Sequence, residues 1–387
     1  MGVLTNVNTE LGMFCLEHQN WEELLTQEPY NLKISKDGPY VMFKYNQLSS
    51  DFNNPIVREA RGIIFRKDDF SHPVCWGFNK FGNWGENYVP AIDWSTAFVS
   101  EKVDGSLIKV WYDAGNWNIS TNGTIDAHKA DLGDVRMSNF GDYFKSTIDY
   151  YYPTRSVFLC DLDKDLTYMF ELVGPYNRVV VPYDEPAIYF LGARNKYTGE
   201  EFNCSKQTSG ALCMGRFKLP AQYSLSSVED CVKAAELKSW DDEGFVVCDA
   251  QFNRVKIKSP AYVMAHYARN NNVINRKHLI QIILSGETEE FLCYAKDYKE
   301  ELEKVQNLIK AFYKVGDQIA KSCQRLYDIP RAVYANWVKT LPKIYQDLAF
   351  RNYNNVMSTK DYTAGWNESK WETYLEGFEK LKEELFN

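Results

Sequence analysis

The 387 residues predict an α+β protein, with a mostly antiparallel β domain followed by an all-α one. Three observations predict it. From Tyr40 to Ser259, short runs rich in β-branched and aromatic residues are punctuated by Gly, Asn and Asp. These runs do not alternate regularly with helices, which argues against a doubly wound parallel sheet. Near Tyr262 glycine and strand patterns thin out, and apolar residues begin to recur at helical spacing. The expected domains are residues 1–263 and 264–387.

Taken in order, Leu11–Gln27 reads as a short helix or two. Strands are expected at "YVMFKYN", "RGIIFR", "PVCWGFN", "AFVSEKV" and "SLIKVWY". "GDVRMSNFGDYFKSTIDYYY" reads as helix. Strands return at "SVFLCDL", "YMFELVG", "RVVVPY", "AIYFLGARN", "EGFVVCD" and "RVKIKS". From Phe291 through Ala295, Tyr298, Leu302, Val305, Ile309 and Phe312 to Leu326 the spacing predicts one long amphipathic helix, with Thr288 as its N-cap and a bundle core as its destination. Pro330 and Pro342 punctuate further helices, and Trp366–Phe386 is a last one.

A 45% hydrophobic and 15% aromatic composition can bury a sizeable core. No run of 18 apolar residues suggests a membrane span, and no N-terminal segment reads as a signal peptide. Nine scattered cysteines without a C-x-x-C pair suit reduced thiols and a cytoplasmic location. Five histidines without metal-ligand spacing argue against a structural zinc. Net charge is −8, so passive, non-specific nucleic-acid binding through a global basic field is excluded. The acidic excess is N-terminal: residues 1–263 carry 26 Lys/Arg against 35 Asp/Glu, and the remainder 18 against 17.

Chemistry is suggested where "SEKVDGSLIKVWY" begins with Lys102, Asp104 and Gly105. Asp-Gly alone is a common turn dipeptide. The sharper reading makes Lys102 a nucleophile and Gly105 the place where a nucleotide approaches the backbone. Three later features and two upstream residues fit that reading. Glu171 stands alone in an apolar strand, where an unpaired charge is costly. Glu243 precedes Gly244 at a strand mouth. Lys256 and Lys258 are two apart, so they share a face and repel unless they share an anion. Upstream, Arg61 sits beside Gly62, and Lys80 lies in "FNKFGNWGE". Each piece alone has an ordinary structural explanation: a paired carboxylate, a solvated edge strand, a surface arginine. Their order together is far harder to obtain by accident.

That order resembles the covalent nucleotidyltransferases, and most closely the phage-type ATP-dependent RNA ligases that repair tRNA. The resemblance rests on "EARGIIF", "NKF", "EKVDGSL", "FELVGPYNRVVVPY", "DEGFVV" and "VKIKS", across residues 55–265. It implies an adenylation (ATP-grasp-like) ligase core with a helical accessory domain. DNA ligases and capping enzymes instead append an OB barrel, for which five short strands are missing after Ser259.

The resemblance also implies roles. Lys102 would attack the α-phosphate of ATP, forming lysyl-AMP; AMP would pass to an RNA 5′-phosphate, and a 3′-hydroxyl would displace it. A lysine with an ordinary pKa of ~10.4 is a poor nucleophile at neutral pH, so neighbouring Lys256 and Lys258 or a metal should activate it. Glu243 and Glu171 match metal-site carboxylates, Glu243 also facing the phosphates and Glu171 the ribose, with Mg²⁺ expected. Arg61 and Lys80 match groups near the phosphates and ribose. Val246 and one of the same-face pair Tyr189 and Leu191 would sandwich adenine. One departure stands out: where the best-known members place a lysine, this chain has Asn122, in "ISTNGTI". A nicked tRNA anticodon loop is the substrate the resemblance implies, read by the helical domain. Two rivals remain: a capping guanylyltransferase or DNA ligase, and a non-catalytic RNA-end binder.

Overall fold

A computed structural model of the chain describes residues 9–47, 49–151, 159, 162–205, 217–268, 274–326 and 328–386. It divides into two compact units, residues 1–266 and 267–387.

The first unit is built on three antiparallel sheets. The smallest joins β1 (Lys33–Asp37), β2 (Tyr40–Lys44) and β3 (Arg61–Arg66), with α1 (Glu10–Glu17), α2 (Trp21–Leu25) and α3 (Pro55–Glu59) nearby in sequence. The second runs β11-β10-β9-β5-β6. It contains β5 (Ser106–Asp113), β6 (Asn116–Ser120), β9 (Leu166–Val173), β10 (Ala187–Asn195) and β11 (Glu201–Asn203). The third runs β12-β4-β13-β14, from β4 (Phe98–Glu101), β12 (Gln222–Tyr223), β13 (Gly244–Cys248) and β14 (Arg254–Lys258).

Alternation along these strands sets two faces. In the third sheet Val99, Phe245, Val247, Val255 and Ile257 pack with Cys231 and Ala235, which belong to a helix over Val228–Glu236. The intervening Ser100, Val246, Cys248, Arg254, Lys256 and Lys258 are left for the other face. The second sheet's core is Ile108, Val110, Phe170, Leu172, Ile188 and Phe190, closed by Tyr143, Phe144 and Ile148 of the helix Phe140–Tyr151.

Several expectations fail here, for local reasons. "RVVVPY" forms no strand, because the amides of Val180 and Val181 both donate to the Asp104 carboxylate and so cannot join a ladder. "PVCWGFN" contributes one isolated bridge, Cys75 to Ile64. In "GDVRMSNFGDYFKSTIDYYY" the first part is a hairpin, β7 (Asp131–Asp134) with β8 (Met137–Asn139), and only Phe140–Tyr151 is helical. "SVFLCDL" falls mostly outside the described residues.

The second unit is helical throughout its described length. The helices expected behind the two prolines begin at Arg331 and Lys343. The long helix is broken: Thr288–Tyr294 ends at Ala295, a 3₁₀ turn covers Lys296–Tyr298, and the main helix spans Lys299–Arg325. Glu287, not Thr288, precedes the first segment. Phe291 packs tilted against Tyr298, so the segments before and after the break bury one stripe and the 4,3 spacing carries straight through. Phe312 sits at the centre, ringed by Tyr345, Trp366, Trp371, Tyr374 and Phe378.

Candidate active site

The second and third sheets enclose a cavity of about 310 Å³. From the third sheet come Phe98 and Ser100 of β4, Val246 and Cys248 of β13, and Arg254, Lys256 and Lys258 of β14. From the second come Leu107, Glu171, Leu191 and Asn203, one each from β5, β9, β10 and β11. Arg61, Phe78, Phe81 and Asn122 complete the wall, with Lys102 and Gly105 at the β4–β5 junction.

Strand register explains the central triad. The Lys102 amide donates to the Gly244 carbonyl at 2.8 Å, and Gly244 pairs with Lys258 across β13–β14. Lys102 and Lys258 therefore flank β13 at the point where Glu243 enters it. Glu243 Oε2 lies 2.7 Å from Lys102 Nζ, and Oε1 lies 3.3 Å from Lys258 Nζ. The Glu243 side chain is only 4% exposed, and Lys102 keeps 22%. Burial acts to raise the Glu243 carboxyl, but the two ammonium groups outweigh it and hold the group below its usual value.

Glu171 behaves oppositely. Burial pushes its carboxyl up to about 8; Lys102 opposes the rise, while Glu243 and Asp104 add to it. A cation arriving in the cavity would draw the proton off. The Phe81 ring is shared by Arg61, 4.9 Å from its centroid, and Lys256, at 5.7 Å. Such stacking holds both cations at the cavity wall.

Asp104 and Gly105 have structural duties. Buried Asp104 accepts from Val180 and Val181 through Oδ2, and from the Tyr262 hydroxyl through Oδ1 at 2.7 Å. Gly105 lines the cavity, but a Cβ there would lie 2.5 Å from the Leu172 carbonyl of β9. The neighbouring strand, rather than an approaching nucleotide, explains its glycine.

Among the residues singled out from sequence, Arg61, Lys102, Gly105, Glu171, Leu191, Val246, Lys256, Lys258 and Asn122 meet at this cavity, with Glu243 behind Lys102. Two do not line it. Lys80 lies over the rings of Tyr45 and Phe52 and borders a neighbouring groove. Tyr189 pairs with Glu171 and so shares the cavity face of the sheet with Leu191, as the alternation predicts, but it covers Val103, Val173 and Ala187 beside the cavity. A bulge between Phe190 and Gly192 leaves Leu191 as the extra residue. Arg254 was missed, although the same i, i+2 logic extends from Lys258 through Lys256 to it. It ion-pairs with Glu201 at 2.6 Å. Phe81 was missed too, having no sequence signal beyond its place after Lys80.

The sequence profile of the RNA ligase family matches residues 59–262, more than half of the chain and every strand of the cavity. The chain belongs to the RNA ligase family. Among relatives, it is 28% identical over 349 residues to an RNA ligase of Rhodothermus phage RM378, covering 75% of this chain and 77% of that protein. It is 32% identical over 290 residues to a protein of Autographa californica nuclear polyhedrosis virus described as a bifunctional polynucleotide kinase/RNA ligase. That match covers 68% of this chain but only 39% of the longer viral protein. Among solved structures, an archaeal ATP-dependent RNA ligase aligns over 81% of this chain and 83% of its own, at 14% identity and a TM-score of 0.46.

Proposed function

We propose that this RNA ligase family member joins RNA 5′-phosphate and 3′-hydroxyl ends, using ATP, through a lysyl-AMP on Lys102. The observation that carries the reading is the pairing of partly exposed Lys102 and Lys258 on buried Glu243, inside a cavity that also presents Lys256 and Arg61. The Lys102 amine attacks the α-phosphorus; a P–N bond forms, the bond to the bridging oxygen breaks, and pyrophosphate leaves with its electron pair. The attacking amine gives up its proton to solvent, which reaches the partly exposed Lys102 side chain. Glu243, held ionised by two cations, orients the amine along one line of approach rather than acting as a strong base. Lys256, Lys258 and Arg61 meet the charge that accumulates on the phosphate oxygens. Val246 and Leu191 supply apolar surface for the adenine, and Glu171 lies within reach of the ribose or a metal.

Magnesium fits the donor set in a limited way. Both Glu243 oxygens face lysines, and no group of three metal-ligating side chains occurs among the described residues. Glu171, whose buried carboxyl a cation would help to ionise, is the protein ligand such an ion would use alongside phosphate oxygens. Bound there, it would neutralise triphosphate charge. The metal role given to Glu243 has no support in this arrangement.

The helical unit would read the RNA, with a nicked tRNA anticodon loop as the expected substrate, in a cytoplasmic setting that suits seven free thiols among the described residues. No helix among the described residues is long and apolar enough to cross a membrane. The deciding experiment is incubation with α-labelled ATP and Mg²⁺. Label should stay on the protein after boiling in detergent, and sealing of RNA ends should follow. Label from GTP but not ATP would favour a capping enzyme, sealing of nicked DNA but not RNA a DNA ligase, and no label at all an RNA-end binder.

A further inference from the structure

One buried lysine has no part in the chemistry above. Lys109 lies on β5 beyond Leu107, and its residue is 0% exposed. Its ammonium donates to the Gly62 carbonyl. No carboxylate among the described residues offsets its charge. Burial lowers the group to about 8, the Cys75 thiol opposes this, and Arg61 and Lys44 lower it further.

The niche is built around the side chain. A Cβ on Gly62, whose φ is +77°, would lie 2.7 Å from Lys109 Nζ, and one on Gly77 would lie 2.9 Å from its Cδ. The same Gly62 position is 2.7 Å from the Asn122 carbonyl oxygen, and the Asn122 side-chain oxygen is buried without a partner. Lys44 Nζ approaches the neighbouring turn, 3.3 Å from where a Gly123 Cβ would sit. Three cations thus converge on the segments 61–62 and 122–123, of which Arg61 and Asn122 line the cavity. A threonine or asparagine could satisfy one carbonyl without burying a charge, whereas an uncompensated buried cation is costly. Like charges gathered at one wall of the cavity, Arg61 on its face and Lys44 and Lys109 outside the lining, are consistent with an anion of several charges inside it.

We propose that Lys109 is a positioning residue for the polyphosphate of the nucleotide: with Lys44 and Arg61 it lends positive charge through the Gly62–Asn122 wall, and so favours a triphosphate over a monophosphate. The inference rests on the ATP-dependent reading of the same cavity.

Calorimetric titration of the Lys102→Ala protein with ATP and with AMP, both with Mg²⁺, tests it without covalent turnover. Adding Lys109→Met should weaken ATP binding about tenfold and AMP binding less than about threefold, the loss growing with ligand charge. The melting temperature should hold or rise, because an unpaired buried charge has been removed. Unchanged ATP affinity, equal losses for ATP and AMP, or a fall in melting temperature that accompanies the loss would each overturn the proposal. Should Lys109→Met fail to fold, Lys44→Met serves: it should weaken ATP binding about threefold and spare AMP, and wild-type ATP affinity in that variant overturns the proposal. If the Lys102→Ala protein binds no ATP and the unsubstituted protein forms no protein–AMP, the ligase reading fails, and this inference with it.

Discussion

Lys102 and Lys258 hold one carboxylate from either side of β13, so each senses the loss of the other. Lys102→Ala should abolish protein–AMP while leaving some sealing of pre-adenylated RNA, a step that needs no lysyl nucleophile. A labelled band at wild-type strength on a denaturing gel would refute the assignment. Glu171 gives a prediction with a definite sign. Its folded value of about 8 lies above the ordinary 4.5. Its contribution to stability is therefore complete below about pH 4.5 and disappears as pH rises through about 8. Glutamine stays neutral throughout. Without nucleotide or metal, Glu171→Gln should melt with the wild type at pH 5 but be more stable at pH 8, by on the order of 1–2 kcal/mol. A difference that does not grow with pH between thermal melts at the two values would remove the claim. At this scale the gathering of Lys102, Lys256 and Lys258 at one cavity was legible because these residue types stand in short motifs of fixed spacing. Lys109 was not, since a lysine inside "SLIKVWY" looks like the polar face of a strand until Gly62 and Gly77 are seen to make room for it.

Asp104 works between elements, tying the 178–183 loop and the helix Pro260–Ala268 to the start of β5. Asp104→Ala would leave two amides and a tyrosine hydroxyl without their acceptor in a buried place. The expected cost is on the order of 3 kcal/mol by urea denaturation; a loss below about 1 kcal/mol would mean water replaces the carboxylate easily. Gly105→Ala forces β5 away from β9 and should destabilise the protein by about 1–3 kcal/mol, with protein–AMP formation falling as Lys102 shifts. Intact adenylylation with a wild-type melting temperature would show that the strand pair yields freely. Strand identity was legible for β2, β3, β4, β5, β9, β10, β13 and β14 from short runs of β-branched and aromatic residues, and in β5, β13 and β14 alternate residues also divide between a core and the cavity. It misled at "RVVVPY", because β-propensity describes a side chain's fit to a pleated surface and does not report where the amides bond.

All the cavity residues belong to the first unit, residues 1–266. A fragment ending at residue 268 keeps the whole Pro260–Ala268 helix, and with it Tyr262 and its hydrogen bond to Asp104. It should fold by circular dichroism, form protein–AMP and lose discrimination among RNA substrates. A folded fragment unable to adenylylate itself would mean that a necessary group lies beyond residue 268. The two-part α+β division, the antiparallel character of the first part and the Lys102, Glu243, Lys256 and Lys258 set were all readable from the linear chain. The first two depend on composition and on short spacings, which local backbone geometry converts into faces, and the set on the order of short motifs and its resemblance to a known family. Three others were beyond its reach: Leu191 rather than Tyr189 at the cavity, Lys80 in a neighbouring groove, and three cations gathered at Gly62. Each depends on which neighbours cover a side chain, on where a loop falls, or on the absence of a Cβ on Gly62 of another sheet, and these are set only when distant segments pack together.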